Sequence, residues 1–192
     1  MIMNSISQLS RVLALLFVLF SLGATALPTD RQGEDAKKAE RDKLIAVARE
    51  IMTAARYCAL VTLDSRGRPQ VRTMDPFPPD ENMVVWLATN PKSAKVAEIR
   101  NNPRVALYYF DPAAQGYVTI SGIARLVDSR EEKAKRWKDE WKAFYPDREK
   151  SYLLITVTPE ELEVVNEKRG ITGDSIRWTP PAVRFRTGRS ND

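Results

Sequence analysis

Five side chains of this sequence have the types and spacing to hold an anion. Thr89 ends the apolar run Val84-Val-Trp-Leu-Ala, and four positions later Ser93 opens a helical stretch flanked by Lys92 and Lys95. A helix N-terminus leaves backbone N–H groups unpaired and carries the positive end of the helix dipole, so it suits a phosphate. Ser93 can cap the helix or donate its hydroxyl, and Lys92 or Lys95 can supply charge. An ordinary capped helix with solvated lysines would be written in the same letters. Arg72, in Gly67-Arg-Pro-Gln-Val-Arg72-Thr-Met74, alternates with Val71 and Thr73, which turns it away from the apolar side of its strand. Its guanidinium fork fits phosphate oxygens held by a neighbouring strand–helix junction. A solvated surface arginine is the plain alternative.

Absences narrow the chemistry further. The chain contains no histidine. That excludes Ser-His-Asp and Cys-His catalysis and histidine-held zinc or haem iron. The one cysteine, Cys58, lies in the apolar run Tyr57-Cys-Ala-Leu-Val and reads as a small buried hydrophobe. Acid–base work therefore falls to carboxylates, tyrosines, lysines or a cofactor. Tyr108, Tyr109 and Tyr117 are candidates, with core packing as the alternative for each. Lys plus Arg number 30 against 25 Asp plus Glu, a net charge of +5. No basic run with interleaved aromatics tracks a nucleic-acid backbone, so a nucleic-acid partner is not expected, nor is a metal site.

The elements that must position these residues begin after the N-terminal segment. Residues 1–26 carry one charge, Arg11, then the apolar run Val12 to Phe20, and end in Ala24-Thr25-Ala26. This predicts a Sec-type signal peptide cleaved near Ala26, and hence a periplasmic or secreted protein. The apolar core is shorter than the ~20 residues of a spanning helix, so no membrane span is expected after cleavage; an uncleaved anchor is the alternative. Residues 27–34 read as a flexible lead-in, 35–168 as one domain and 169–192 as a C-terminal tail.

From Asp35 to Ala55, Leu44, Val47, Ala48, Ile51 and Met52 recur at helical steps. Strands are expected at Tyr57 to Leu63, Gln70 to Met74, Met83 to Ala88, Arg104 to Phe110, Tyr117 to Val127, Tyr152 to Thr158 and Glu161 to Asn166. Gly122 marks a bulge or sharp bend in the long fifth strand. Short helices are expected from about Ser93 to Asn102, stopped by Pro103, and from Arg130, capped by Ser129, to about Tyr145. Strands joined by tight turns with few helices between them predict an α+β fold, a small closed antiparallel barrel of six to seven strands with peripheral helices.

The order Ala59-Leu-Val-Thr62, Gly67-Arg-Pro-Gln-Val-Arg72-Thr-Met, Trp86-Leu-Ala-Thr89, Ser93-Ala-Lys95, Asn102-Pro103 and Gly122-Ile-Ala-Arg125 resembles the pyridoxamine 5′-phosphate oxidase-like superfamily. It is most similar to the general stress protein 26-like branch and continues more loosely through Trp137-Lys-Asp-Glu-Trp141 to Tyr145-Pro146. The resemblance implies a homodimer of split barrels with noncovalent FMN in clefts at the interface. By that comparison Arg72 and Lys95 bind the FMN phosphate, and Ser93 and Thr89 line the phosphate and ribityl site. The backbone of Arg72, Thr73 and Met74 runs beside the isoalloxazine ring. Trp86 is core packing or a wall near the flavin.

The sequence also departs from that pattern. Ala94 stands where the oxidases carry a phosphate-binding arginine, Tyr117 stands in place of a flavin-contacting glutamine, and the substrate-binding histidine is missing. Oxidation of pyridoxamine phosphate is therefore not expected. The reading is a flavin-dependent redox protein acting on an unidentified small molecule. A non-enzymatic stress-response protein holding a flavin or another planar anionic cofactor is the alternative; some relatives bind haem or a deazaflavin.

Overall fold

The computed structural model describes residues 30–185, and the signal expected at 1–26 lies outside the described residues. Helix α1 spans Asp30–Ala55. It begins before Asp35, so residues 30–34, expected as flexible lead-in, are helical. Residues 31–43 are exposed throughout, and the predicted stripe of Leu44, Val47, Ala48, Ile51 and Met52 is buried.

Seven strands follow: β1 (Cys58–Leu63), β2 (Pro69–Met74), β3 (Val85–Thr89), β4 (Arg104–Asp111), β5 (Gly116–Val127), β6 (Leu153–Asn166) and β7 (Ala182–Arg184). They form one antiparallel sheet in the order β2-β1-β4-β5-β6-β3, with β7 added against β6. Alternate residues point inward, among them Cys58, Leu60 and Thr62 of β1 and Val105, Leu107 and Tyr109 of β4. Together with the stripe of α1 they build the main core. The curl stops short of closure: β2 and β3 are the two ends of the sheet and do not pair with each other. The barrel is split.

Helix α2 (Ala94–Asn101) follows β3 and buries Val96 and Ile99. Helices α3 (Arg130–Lys135) and α4 (Arg148–Ser151) flank a 3-10 turn at Asp139–Ala143. The single helix expected from Arg130 to about Tyr145 is thus broken. Its carbonyls are taken by side chains: Arg148 donates to the Lys133 carbonyl and the Tyr152 hydroxyl to the Arg136 carbonyl. Those carbonyls would otherwise accept the next i to i+4 bonds of a continuing helix.

The two strands expected at Tyr152 to Thr158 and Glu161 to Asn166 are one. Pro159 lies at a register shift in which Ser121 faces Glu161 and Gly122 faces Pro159, so the proline marks an irregularity within β6, not its end. Gly122 is required there, because a Cβ would lie 2.2 Å from the Thr158 carbonyl oxygen.

Candidate functional site

The split brings the last residues of β2 and β3 to one cleft of about 540 Å³, with Thr73 and Met74 on one wall and Ala88 and Thr89 on the other. That size is ordinary for a ligand of cofactor dimensions. Thr89 is 2% exposed, and its hydroxyl is the centre of a small polar cluster. The Ser93 hydroxyl lies 3.0 Å from it, and Lys95 Nζ donates to it at 3.1 Å. Ser93 occupies the N-cap position of α2 in extended backbone, but its side chain makes no capping bond. No side-chain oxygen therefore competes for the N–H groups that open this helix. Lys92 is an exposed turn residue whose N–H bonds the Asn90 side chain at 2.8 Å, and it does not line the cleft.

Lys95 is partly buried and has no ion-pair partner among the described residues. Burial holds its pKa below the ordinary 10.5, Arg72 adds to the lowering, and Glu98 opposes it. A cation in that situation gains from any anion that arrives.

Arg72 departs from the sequence expectation in direction. It lies opposite buried Leu60 in the β1–β2 register, and Val71 is the residue turned to solvent, at 65% exposure. The arginine leaves the core-facing side at the sheet end and runs under α2. There Nη2 donates to Glu98 Oε2 at 2.7 Å and Nη1 to Thr62 Oγ1 at 2.5 Å, while Thr62 Oγ1 donates to Glu98 Oε2 at 2.5 Å. Of the six expected site residues, Thr73, Met74, Thr89 and Lys95 line the cleft. Ser93 reaches it through Thr89, and Arg72 stands behind the wall with N–H donors to spare.

The rest of the lining escaped the sequence reading: Arg56 and Tyr57 at the α1–β1 joint, Asp75 after β2, and Glu140, Trp141, Phe144 and Tyr145 from the segment after α3. Arg56 adopts a left-handed φ of 59° and its guanidinium lies 5.1 Å from the Tyr57 ring centroid. Asp75 accepts from Lys138 Nζ at 2.7 Å and from Trp141 Nε1 at 3.0 Å, which ties the segment after α3 to the end of β2. The one sequence signal for this wall was the aromatic spacing from Trp137 to Tyr145.

Trp86 is not part of the cleft. It is half-buried under the Arg136 guanidinium, 3.4 Å from its ring centroid, and packs with Trp141, Tyr152 and Leu154. Cys58 is buried and its thiol is pushed up to about 12, chiefly by burial, so it is an inert core residue. Tyr108 and Tyr117 lie on the outer sheet face with ring centroids 5.7 Å apart.

Residues 44–166 match the family model described as pyridoxamine 5′-phosphate oxidase. General stress protein 26 of Bacillus subtilis (strain 168) is 27% identical over 105 residues, which make up 53% of this chain and 74% of that protein. The crystal structure of General Stress Protein 26 from Bacillus anthracis str. Sterne superposes with a TM-score of 0.59 at 22% identity, covering 76% of this chain and 98% of that one. A pyridoxamine 5′-phosphate oxidase-related, FMN binding protein from Nostoc punctiforme PCC 73102 gives 0.53 at 16% identity, over 84% and 99%. These two structures share the split-barrel fold, and the family match spans more than half of the sequence. The chain belongs to the pyridoxamine 5′-phosphate oxidase-like family.

Proposed function

We propose that the cleft between β2 and β3 holds FMN noncovalently and that the protein is a flavin-dependent redox protein acting on a small molecule. One observation carries this reading: the Thr89–Ser93–Lys95 cluster, with an unpaired, half-buried ammonium and an uncapped helix start, at the edge of a cofactor-sized cleft. Two hydroxyls, a lysine and free backbone N–H groups are the donor set a phosphate monoester needs. Tyr57, Trp141, Phe144 and Tyr145 supply flat apolar surface for a ring system.

Bound FMN would supply the electron chemistry, and this chain's residues bind and orient it. Lys95 and Ser93 fix the phosphate end. Met74 and Thr73 border the ring. Asp75 is held by Lys138 and Trp141, so it fixes the cleft's far wall.

The FMN binding protein from Nostoc punctiforme, on the same fold, supports the cofactor choice. The resemblance of residues 1–26 to a signal peptide supports export, and the outer sheet face supports a homodimer, since Val71, Tyr108 and Phe110 are 65%, 41% and 53% exposed on it.

The test is titration of the purified protein with FMN, followed by flavin fluorescence. Wild type is expected to bind saturably, and Lys95→Ala to lose about tenfold or more, as for loss of a charged hydrogen bond. Wild-type protein that takes up no FMN sinks the reading. A second reading, that the protein holds the flavin without turning over, is favoured by the commitment of Asp75 to Lys138 and Trp141, which leaves exposed Glu140 as the uncommitted carboxylate among the described lining residues. Reduction of the loaded protein by a nicotinamide cofactor separates the two: fast reduction marks an enzyme, none a holder.

A further inference from the structure

Beside the flavin cleft is a second hollow of about 200 Å³, reached from the same side because Arg56 and Asp75 border both. It is well under the ~300–1,000 Å³ of drug-sized sites, so its occupant is about one ring in size. The walls are apolar, formed by Met52, Phe77 and the run Pro76–Pro79. Three charges border it. Asp75 and Lys138 answer each other at 2.7 Å. Arg56 is exposed and makes no ion pair or hydrogen bond among the described residues, so the hollow is left with one unanswered positive charge. Its left-handed backbone, φ 59°, fixes it at the joint of α1 and β1, at the mouth shared by the two spaces.

The floor holds the second unanswered group. Tyr109 is 1% exposed and its hydroxyl is buried without a hydrogen-bond partner among the described residues. The Cys58 thiol lies nearby without hydrogen-bonding geometry, and burial raises both groups, so both stay protonated in the neutral range. A buried hydroxyl with no partner is costly unless something entering the site supplies one.

We infer that this hollow binds a one-ring carboxylic acid carrying a second polar group at its far end. The carboxylate meets the Arg56 guanidinium at the mouth, the ring lies against Phe77 and the prolines, and the far polar group pairs with the Tyr109 hydroxyl. Because the hollow opens beside the proposed flavin site, the acid is placed as the substrate of that site; this role rests on the flavin reading, whereas the binding itself does not.

The experiment titrates the full chain, free of FMN, with 4-hydroxybenzoate and with benzoate by calorimetry. Wild type is expected to bind 4-hydroxybenzoate one to one and more tightly than benzoate. Arg56→Gln is expected to weaken both acids about fivefold or more. Tyr109→Phe, which conserves shape, is expected to erase the preference for the hydroxylated acid while leaving benzoate affinity unchanged. Lys95→Ala is expected to lose FMN and keep both acids, which separates the two sites.

No saturable binding by wild type at millimolar acid, or wild-type behaviour in both the Arg56 and Tyr109 variants, overturns the site. With FMN loaded, saturating 4-hydroxybenzoate is expected to shift the visible flavin spectrum, and an unmoved spectrum overturns the substrate role. Failure of wild type to load FMN defeats the flavin reading alone, because acid binding is measured on the unloaded protein.

Discussion

Arg72 and Lys95 are both cations beside one cleft, yet their surroundings give them different work. Arg72 is bound to Glu98, whose side chain is only 11% exposed, with Thr62 bridging them. Removing the arginine alone leaves a nearly buried carboxylate without its partner. Arg72→Ala is expected to cost about 2–3 kcal/mol in urea unfolding, and the double change with Glu98→Ala distinctly less. Additive losses would show that the pair is not coupled.

Lys95 has no such partner, and its pKa is lowered when the cleft holds no ligand. A bound phosphate would raise that pKa, so binding then takes up protons in the window between the two values. The phosphate contribution is therefore full at neutral pH and falls as pH rises through the lowered lysine value toward and beyond 10.5. Comparing FMN with riboflavin across alkaline pH isolates it: the advantage of FMN should shrink in wild type and be small and flat in Lys95→Met. In the ligand-free protein the same shift has the opposite sign for stability. The burial penalty is present while Lys95 is charged and is relieved as pH rises through its lowered pKa.

At the scale of elements, the β5–β6 pair is the most constrained. Gly122 faces the irregularity at Pro159, and an added Cβ would collide with backbone, not with a movable side-chain tip. Gly122→Ala is expected to cost about 2 kcal/mol or more, read as a lowered midpoint in thermal or urea unfolding. A variant as stable as wild type would mean that the strand pair relaxes there.

Local signals explain which elements were legible. The stripe of α1 and the Thr89–Ser93–Lys95 spacing depend on residues near each other in sequence, and the glycine at 122 alone marked the irregular place in β5. What was not legible depends on distant partners. Trp137, Trp141 and Tyr145 keep helical spacing, but Arg148 and Tyr152 take the carbonyls that would have continued α3. Arg72 alternates as a surface residue would, and only the approach of Glu98 on α2 draws it inward. Asp75 is positioned by Lys138 and Trp141, 63 and 66 residues away in sequence. The two strands expected on either side of Pro159 are one, because the pairing with β5 carries across the proline.

For the molecule as a whole, the exposed outer face of β2, β1 and β4 carries the expectation of a dimer. Phe110→Asp is expected to shift the species seen by analytical ultracentrifugation from dimer to monomer, and a wild-type monomer would refute the assembly. Export is tested separately by fractionating cells that express the full chain or a version lacking residues 1–26. The full chain should leave the cytoplasm trimmed by its signal, and the shortened one should stay. A full chain retained untrimmed in the cytoplasm would refute export.

The unpaired ends of the sheet have one more consequence. β2 and β3 are joined through four intervening strands, so the protein's own hydrogen bonds do little to hold their facing edges together. A ligand gripping Met74 on one side and Thr89 on the other acts as a clasp across that seam. Amide deuterium uptake along β2 and β3 should slow on ligand binding far more than uptake in β5, whose neighbours already hold it on both sides.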